Sequence, residues 1–289
     1  MKFAFIARHR STFEVKIMCR VLGVSSSAYY AWQGRQPSPR EQANAALMKH
    51  IQQAHLDSRG TYGSPRIVPA LRQVGIVCNH KRVERLMRVQ AIQGVSRCRK
   101  RPTTTDSRHK LPVAPNVLNR DFSASRPNQK WLGDITYIDT REGFLYLASL
   151  EDVFSRRIVG WAMADHMETS LVNSALDMAL FHRQPTGDLL HHSDRGSQYA
   201  SHDYRRLLAK RGITVSMSRT ANCYDNAMKE SFFATLKTEC ATKPFPSRAA
   251  ARLAIFEFIE VWYNRQRLHS ALGYLSPEQF ERHFFMTIP

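Results

Sequence analysis

Apolar positions recur along this chain in two rhythms, one before about residue 95 and another after about residue 130. In the first stretch they fall three or four apart, the helical period. Val15, Ile17, Met18, Val21 and Leu22 precede Gly23, and Ser25-Ser26-Ser27 offers caps for Ala28-Tyr29-Tyr30-Ala31-Trp32. A helix, a glycine turn and a second capped helix outline either a helix-turn-helix or an ordinary helical hairpin. Residues 34–39, with Pro37 and Pro39, read as a linker. Three more helical patterns follow between Ala43 and Gly94. Ala46, Leu47, Ile51 and Ala54 mark the first. Ser64-Pro65 opens the second, which carries Ile67, Val68, Ala70, Leu71 and Val74 and stops at Gly75, while Pro69 leaves its start open. Asn79 caps the third, with Val83, Leu86 and Met87 facing inward and Lys81, Arg82, Arg85 and Arg88 outward.

From Lys130 the period shortens to two. Lys130–Thr140, Phe144–Asp152 and Arg157–Ala164 are rich in aromatic and β-branched residues and are separated by short turns, the pattern of an antiparallel meander. A helix is predicted from Thr169, with Leu171, Val172, Ala175, Leu176, Ala179 and Leu180 on its buried side. A strand at Leu189–His192, a helix near Tyr204–Arg211 and a strand at Ile213–Met217 come next. A helix from Asn226 and a long one over about Ser247–Asn264 close the pattern. Three hairpin strands followed by αβαβα predict an α/β fold with a mixed, ribonuclease-H-like sheet, preceded by an all-α helix-turn-helix region. The expected divisions are 1–36 (helix-turn-helix-like), 43–95 (helical, DNA-binding), 96–125 (basic linker) and 126–289 (catalytic, with C-terminal helices).

Charge sharpens that division. Residues 1–110 hold 21 Lys and Arg against 5 Asp and Glu, a net of +16, whereas residues 111–289 hold 21 against 19, a net of +2. A basic front joined to a nearly neutral rear suits a polyanion-binding region attached to a catalytic one. Arg97, Arg99, Lys100, Arg101, Arg108 and Lys110 sit among Ser and Thr, as a linker or a DNA-tracking arm. Five cysteines without a CxxC pair argue against a disulfide framework and for a reducing cytosol. His50 and His55 lack a nearby cysteine pair, so a zinc module is not expected. The apolar start Met1–Ala7 is too short for a secretory leader, and Arg8-His9-Arg10 interrupts it. No run reaches membrane-spanning length. A cytoplasmic protein is expected.

Three carboxylates stand out. Asp134 falls mid-strand, sharing a face with Leu132, Thr136 and Ile138. An acid there is costly to bury without a cation. Asp194 follows the apolar Leu189-Leu190 where the chain turns outward, and Glu230 lies one turn into a helix, with Lys237 on the same face seven residues on. Oxygen ligands of this kind suit Mg²⁺ or Mn²⁺, and two such ions side by side serve phosphodiester chemistry. Asp152 is a turn residue or a fourth ligand, and Asp225 a helix-start residue. His191 and His192 are structural, or lie close enough to Asp194 to move a proton. Arg267 and His269 contact DNA or hold a terminal turn.

The segments Trp131–Thr136, His192–Tyr199, Asp225–Lys237 and Tyr263–Tyr274 together resemble the bacterial insertion-sequence-three transposases, second-frame type, of the retroviral-integrase (DDE) superfamily. The resemblance implies that Asp134, Asp194 and Glu230 are the catalytic metal ligands and that Lys237 contacts the element end. It implies cleavage of one strand at that end, then direct attack by the freed 3′-hydroxyl on another phosphodiester, with no covalent enzyme–DNA intermediate. The implied partners are double-stranded DNA (terminal inverted repeats and target), a homodimer or higher oligomer on that DNA, and a first-frame protein as fusion or partner. Two alternatives stay open from the residues alone: a DNA-binding regulator of transposition, and a ribonuclease-H-like nuclease without strand transfer.

Overall fold

The computed structural model describes residues 1–96, 111–220 and 222–287. The basic run holding Arg97, Arg99, Lys100 and Arg101 lies outside them. Helix α1 spans Lys2–His9, ahead of the first helix that the apolar period predicts. Its Ile6 is fully buried against Met18, Cys19 and Tyr29 of α2 (Val15–Val21) and α3 (Ser26–Gln33), so the front segment is three helices around a small core. Ser25 caps α3 by accepting the Ala28 N–H, as its position predicts.

A second helical unit follows. In α4 (Pro39–Asp57), Ser38 and Glu41 form a reciprocal capping box. Helix α5 (Ser64–Gln73) runs through Pro69 unbroken, starting where Ser64-Pro65 signals it. Asn79 caps α6 (His80–Val89) through the Lys81 N–H at 2.8 Å. The buried side of α6 is Val83, Leu86 and Met87, while Lys81, Arg85 and Arg88 are exposed. Arg88 pairs with Glu84 at 2.9 Å, and Arg82 donates to Asn44 at 2.9 Å.

The rest is built on one five-stranded sheet in the order β3-β2-β1-β4-β5. Strands β1 (Lys130–Thr140), β2 (Gly143–Asp152) and β3 (Ile158–Ala164) form the antiparallel meander. Strands β4 (Leu190–Ser193) and β5 (Thr214–Met217) add in parallel on the other edge of β1. Helix α7 (Thr169–Arg183) crosses from the β3 edge to β4, and α8 (Ser197–Ala200) and α9 (His202–Lys210) link β4 to β5. One face of the sheet is covered by α7 and α9 over Trp131, Ala148, Leu150 and Val159. Close packing of α7 needs Gly160, where a Cβ would meet the Ala175 carbonyl oxygen at 2.3 Å. The other face carries Ile138, Leu145 and Leu147 beneath α10 (Ala227–Glu239) and α11 (Arg248–Phe256). The element order and sheet are those of a ribonuclease-H-like core behind an all-α region.

Helix α11 continues as π-helical turns over Glu257–Tyr263, so the single long helix predicted over 247–264 keeps its span but not its winding. That widening accompanies the burial of Phe258, Ile259, Trp262 and Tyr263. The final helix, α12 (Pro277–Thr287), is pinned by Glu281, which accepts from Ser155 (2.8 Å), Arg157 (3.0 Å) and Arg183 (2.9 and 2.8 Å). Arg183 also faces Asp152 at 3.4 Å. Arg183→Met removes the cation that the buried carboxylates of Glu281 and Asp152 share, and urea titration is expected to show a loss of about 3 kcal/mol. A loss below about 0.5 kcal/mol would mean that the cluster acts like an ordinary surface pair. No described helix is long and apolar enough to cross a membrane.

Candidate active site

Parallel register brings two of the three singled-out carboxylates together. Gly133 on β1 pairs with Ser193 on β4, so Asp134 and Asp194 are the next residues along adjacent strands. Neighbouring strands lie about 4.8 Å apart, and residues at one register point to the same face. Gly133 itself has no room for a side chain, since a Cβ would meet His191 Nε2 at 2.8 Å. Each carboxylate is held by local donors. Asp134 accepts the Ile135 N–H at 2.7 Å through Oδ1 and the Asn226 side-chain amide at 2.8 Å through Oδ2. Asp194 Oδ1 accepts the Gly196 N–H at 3.0 Å.

Helix α10 starts above this pair. Glu230 is exposed in its first turn, and Lys237 lies two turns further on, half-buried, with Nζ 4.4 Å from the centre of the Tyr137 ring. Asp134 reports the convergence electrostatically. Burial raises its carboxyl well above the usual range, Asp194 and Glu230 push the same way, and Lys229 and the Ile135 N–H pull against them. Lys237 is lowered by burial, with Asp139 and Asp134 opposing. In this structure the three carboxylates are not drawn into a closed ligand group among the described residues. Asp134 and Asp194 follow paired residues of adjacent strands, and Glu230 lies in the first turn of the helix whose start Asn226 ties to Asp134.

The loop before α10 is stitched to the turn after Asp194. Arg195 donates to the Ser218 carbonyl at 2.7 Å and to Thr220 at 2.7 Å. Asp225, fully buried in a 3₁₀ turn over Cys223–Asn226, accepts from Arg219 (2.7 and 2.9 Å), Arg120 (3.0 Å) and Asn116 (2.9 Å). The Arg219 hydrogen bonds hold its carboxyl below the ordinary range. Asp225 is thus the anchor of the turn that presents Asn226 to Asp134. A depressed folded pKa stabilises above the unfolded value of about 4 and loses that contribution as pH falls. Wild type is therefore expected to exceed Asp225→Asn in stability at pH 7, with the gap closing below about pH 4. An equal gap at both ends of the titration would remove the ion-pair account.

The remaining candidates have other duties. Asp152 accepts the Asn128 and Phe154 N–H groups at 2.7 and 2.9 Å on the far end of β2, which is the turn role. His191 lies 2.9 Å from the Tyr204 hydroxyl, and His192 lies between Ser216 and Ser218 at 2.8 and 3.1 Å. Burial pushes them down to about 3 and about 4, so both are neutral at pH 7 and serve the packing of β4. Arg267 is buried and clamps Glu239. Sequence reasoning passed over Asn226 as a helix start. It also missed the buried Glu151 and Lys229, which burial drives up and down respectively and which lie behind Asp134. A lysine in an otherwise apolar helix stripe with Phe232 and Phe233 was the available signal.

Residues 124–223 match the family described as Integrase core domain, residues 211–277 match a second family of that description, and residues 41–101 match HTH-like domain. The Insertion element IS600 uncharacterized 31 kDa protein of Shigella sonnei is 46% identical over 92% of this chain and 98% of its own length. Transposase InsF for insertion sequence IS3A of Escherichia coli (strain K12) is 44% identical over 97% of this chain and 98% of its own. Among solved structures, a simian T-cell lymphotropic virus intasome in complex with a PP2A regulatory subunit aligns at TM-score 0.47 and 19% identity, covering 74% of this chain and 70% of that one. The HTLV-2 integrase catalytic core domain in complex with magnesium aligns at 0.42 and 16%, covering 55% and 99%.

Proposed function

The chain belongs to the IS3-type insertion-sequence transposases, and we propose that Asp134, Asp194 and Glu230 are the groups through which it cuts and joins DNA strands. It is a DNA transposase: a polynucleotidyl transferase with an integrase core behind an HTH-like domain. The observation that carries the site assignment is the pairing of Gly133 with Ser193, which sets Asp134, in the middle of β1, beside Asp194, just past the end of β4. Burial first, then the charges of Asp194 and Glu230, raise the Asp134 carboxyl, and a cation among the three acids would offset both effects. Mg²⁺ or Mn²⁺ fits hard oxygen donors of this kind, and two ions sharing the three carboxylates is the arrangement we favour. A divalent cation bound there supplies Lewis acidity at the scissile phosphate and strengthens a water or 3′-hydroxyl as nucleophile.

The chain's own residues do the rest. Asn226 and the Ile135 N–H fix the Asp134 carboxylate, and the Gly196 N–H fixes that of Asp194. Lys237, on the α10 face below Glu230, holds a backbone phosphate of the element end. No serine or tyrosine nucleophile is required. The basic edge of α6, with Lys81, Arg85 and Arg88 exposed and Arg82 beside them, reads the terminal repeats, and the basic run of Arg97, Arg99, Lys100 and Arg101 tracks their phosphates. Synapsis of two ends calls for at least a dimer on DNA, and a first-frame segment joins as fusion or partner. With DNA as substrate, the protein works in the cytoplasm, on the nucleoid.

The test uses purified protein, Mg²⁺ and a labelled duplex carrying the ends of its own element, beside Asp194→Asn. Metal-dependent nicking that leaves a 3′-hydroxyl, followed by joined products, is expected only with wild type. A second readout is thermal: millimolar Mg²⁺ or Mn²⁺ raises the Tm of wild type and leaves that of Asp194→Asn unmoved. Nicking without joining would favour the nuclease reading, and end binding without any chemistry the regulator.

A further inference from the structure

The segment after the π-helical turns was open between DNA contact and a terminal turn. The side chains of Asn264 and Arg267 are taken up by the protein's own parts. The Asn264 side chain accepts the Ile158 N–H at 2.9 Å and donates to the Ile158 carbonyl at 3.0 Å, closing the start of β3. Arg267, 5% exposed, grips Glu239 at the last turn of α10 with three hydrogen bonds of 2.7 to 3.1 Å, and Trp262 adds a fourth at 3.1 Å. The next residue reaches the helical unit. The Leu268 N–H donates to the Tyr62 hydroxyl at 2.7 Å, and the Leu268 carbonyl accepts from Arg66 at 3.2 Å. Gln73 donates to the Tyr274 carbonyl at 3.1 Å, the Tyr62 and Trp262 rings lie 5.7 Å apart, and Arg59 pairs with Glu257 at 2.8 Å. Apolar residues of α4, α5 and α6 share one buried cluster with those of α10 and α11.

We infer that this strap is a joint that sets the distance from the end-binding helix α6 to the carboxylates, and so selects which phosphodiester is cut. The inference rests on the reading that α6 holds the element end. Its logic is mechanical. Helix α10 carries Glu230 near one end and Glu239 at the other, about 14 Å apart along a rigid rod. Arg267 fixes the far end of that rod, and one residue later the same strap is fixed to Tyr62, just before α5, and to Arg66 within α5, which packs beside α6. A phosphate displaced by a small fraction of the nucleotide spacing loses its alignment with the catalytic groups. Misplacement by about 1 Å lowers such a step by about a hundredfold. Tyr62 and Arg66 are therefore positioning residues. They act on the reaction only through where they hold α6.

The ionic half of the joint is buried and the Leu268 half is two hydrogen bonds, so the second is the half to loosen. Full-length Tyr62→Phe/Arg66→Ala keeps the ring against Trp262 and removes both contacts to Leu268. If the pair does not fold, Tyr62→Phe alone carries the test. The substrate is an end-labelled duplex of the element's own terminus with Mg²⁺, read at nucleotide resolution. End affinity is expected to stay near that of wild type, single-site cutting to fall by about tenfold or more, and cuts at neighbouring phosphodiesters to appear. Cutting confined to the wild-type phosphodiester, at an unchanged or a uniformly reduced rate, overturns the inference. Lys81→Ala/Arg85→Ala separates the two ideas. If that variant binds ends as wild type does, it is the reading of α6 that fails, and with it the joint's role.

Discussion

Glu230→Gln is expected to bind element ends within about twofold of wild type while losing Mg²⁺-dependent strand cleavage by about a thousandfold or more. The two halves of that expectation have separate causes. Glu230 is exposed on the first turn of α10, so an amide of the same size leaves the buried packing of the helix intact while weakening the favourable interaction of a carboxylate with a helix N-terminus. The lost charge matters at the site. A divalent cation held by oxygen donors depends on their full negative charge, and a neutral amide is a poor substitute. Asp134→Asn is a less clean experiment. Its new amide would face the Asn226 amide that now donates to Asp134 at 2.8 Å, setting donor against donor. Loss of activity there would mix chemistry with a disturbed helix start. Cleavage by Glu230→Gln at the wild-type rate would remove the assignment of Glu230 altogether.

Local rhythm carried most of the elements, because each is dictated by residues a few positions apart. The burial of Leu171, Val172, Ala175, Leu176, Ala179 and Leu180 on α7 follows from the 3.6-residue period, and β1 from alternation. Asp134 was legible as a functional acid for the same reason: a charge mid-strand conflicts with its neighbours. What lay beyond reach was pairing between distant segments. Nothing local says that Ser193 sits opposite Gly133, yet that register makes Asp134 and Asp194 neighbours. Asn226 was invisible in this sense, since a helix-start asparagine and a carboxylate-orienting one look alike until the strand beneath it is known. Helix α1 failed for a different cause. Phe3, Ile6 and Ala7 form a helical stripe, but seven residues at a chain start also read as a truncated leader. The Tyr263–Tyr274 segment could be singled out but not interpreted, because its partners Glu239, Ile158 and Tyr62 are 28 to 206 positions away.

Replacing Lys81 and Arg85 by alanine in the full chain is expected to weaken end binding by about tenfold at moderate salt and to flatten its salt dependence. Each phosphate contact removed lowers the slope of log K against log salt by about 0.9, so two contacts lower it by about 1.8. These two are the cleanest choices on α6. Both are exposed, whereas Arg82 is partly spent on Asn44 and Arg88 is paired with Glu84. The charge imbalance, +16 in residues 1–110 against +2 beyond, suggests a simpler test in which a 111–289 fragment is asked whether it still binds. The fold argues against it. Tyr62, Ile67, Leu71 and Val83 share a buried cluster with Trp262, Tyr263 and Leu268, so truncation would bare an apolar face of the catalytic unit. Weak binding by such a fragment could then be aggregation rather than lost contacts. Point replacements keep that face covered, and their salt slope reports charge alone. A full-chain variant with unchanged affinity and slope would move the DNA contacts off α6 and onto other basic parts of the chain.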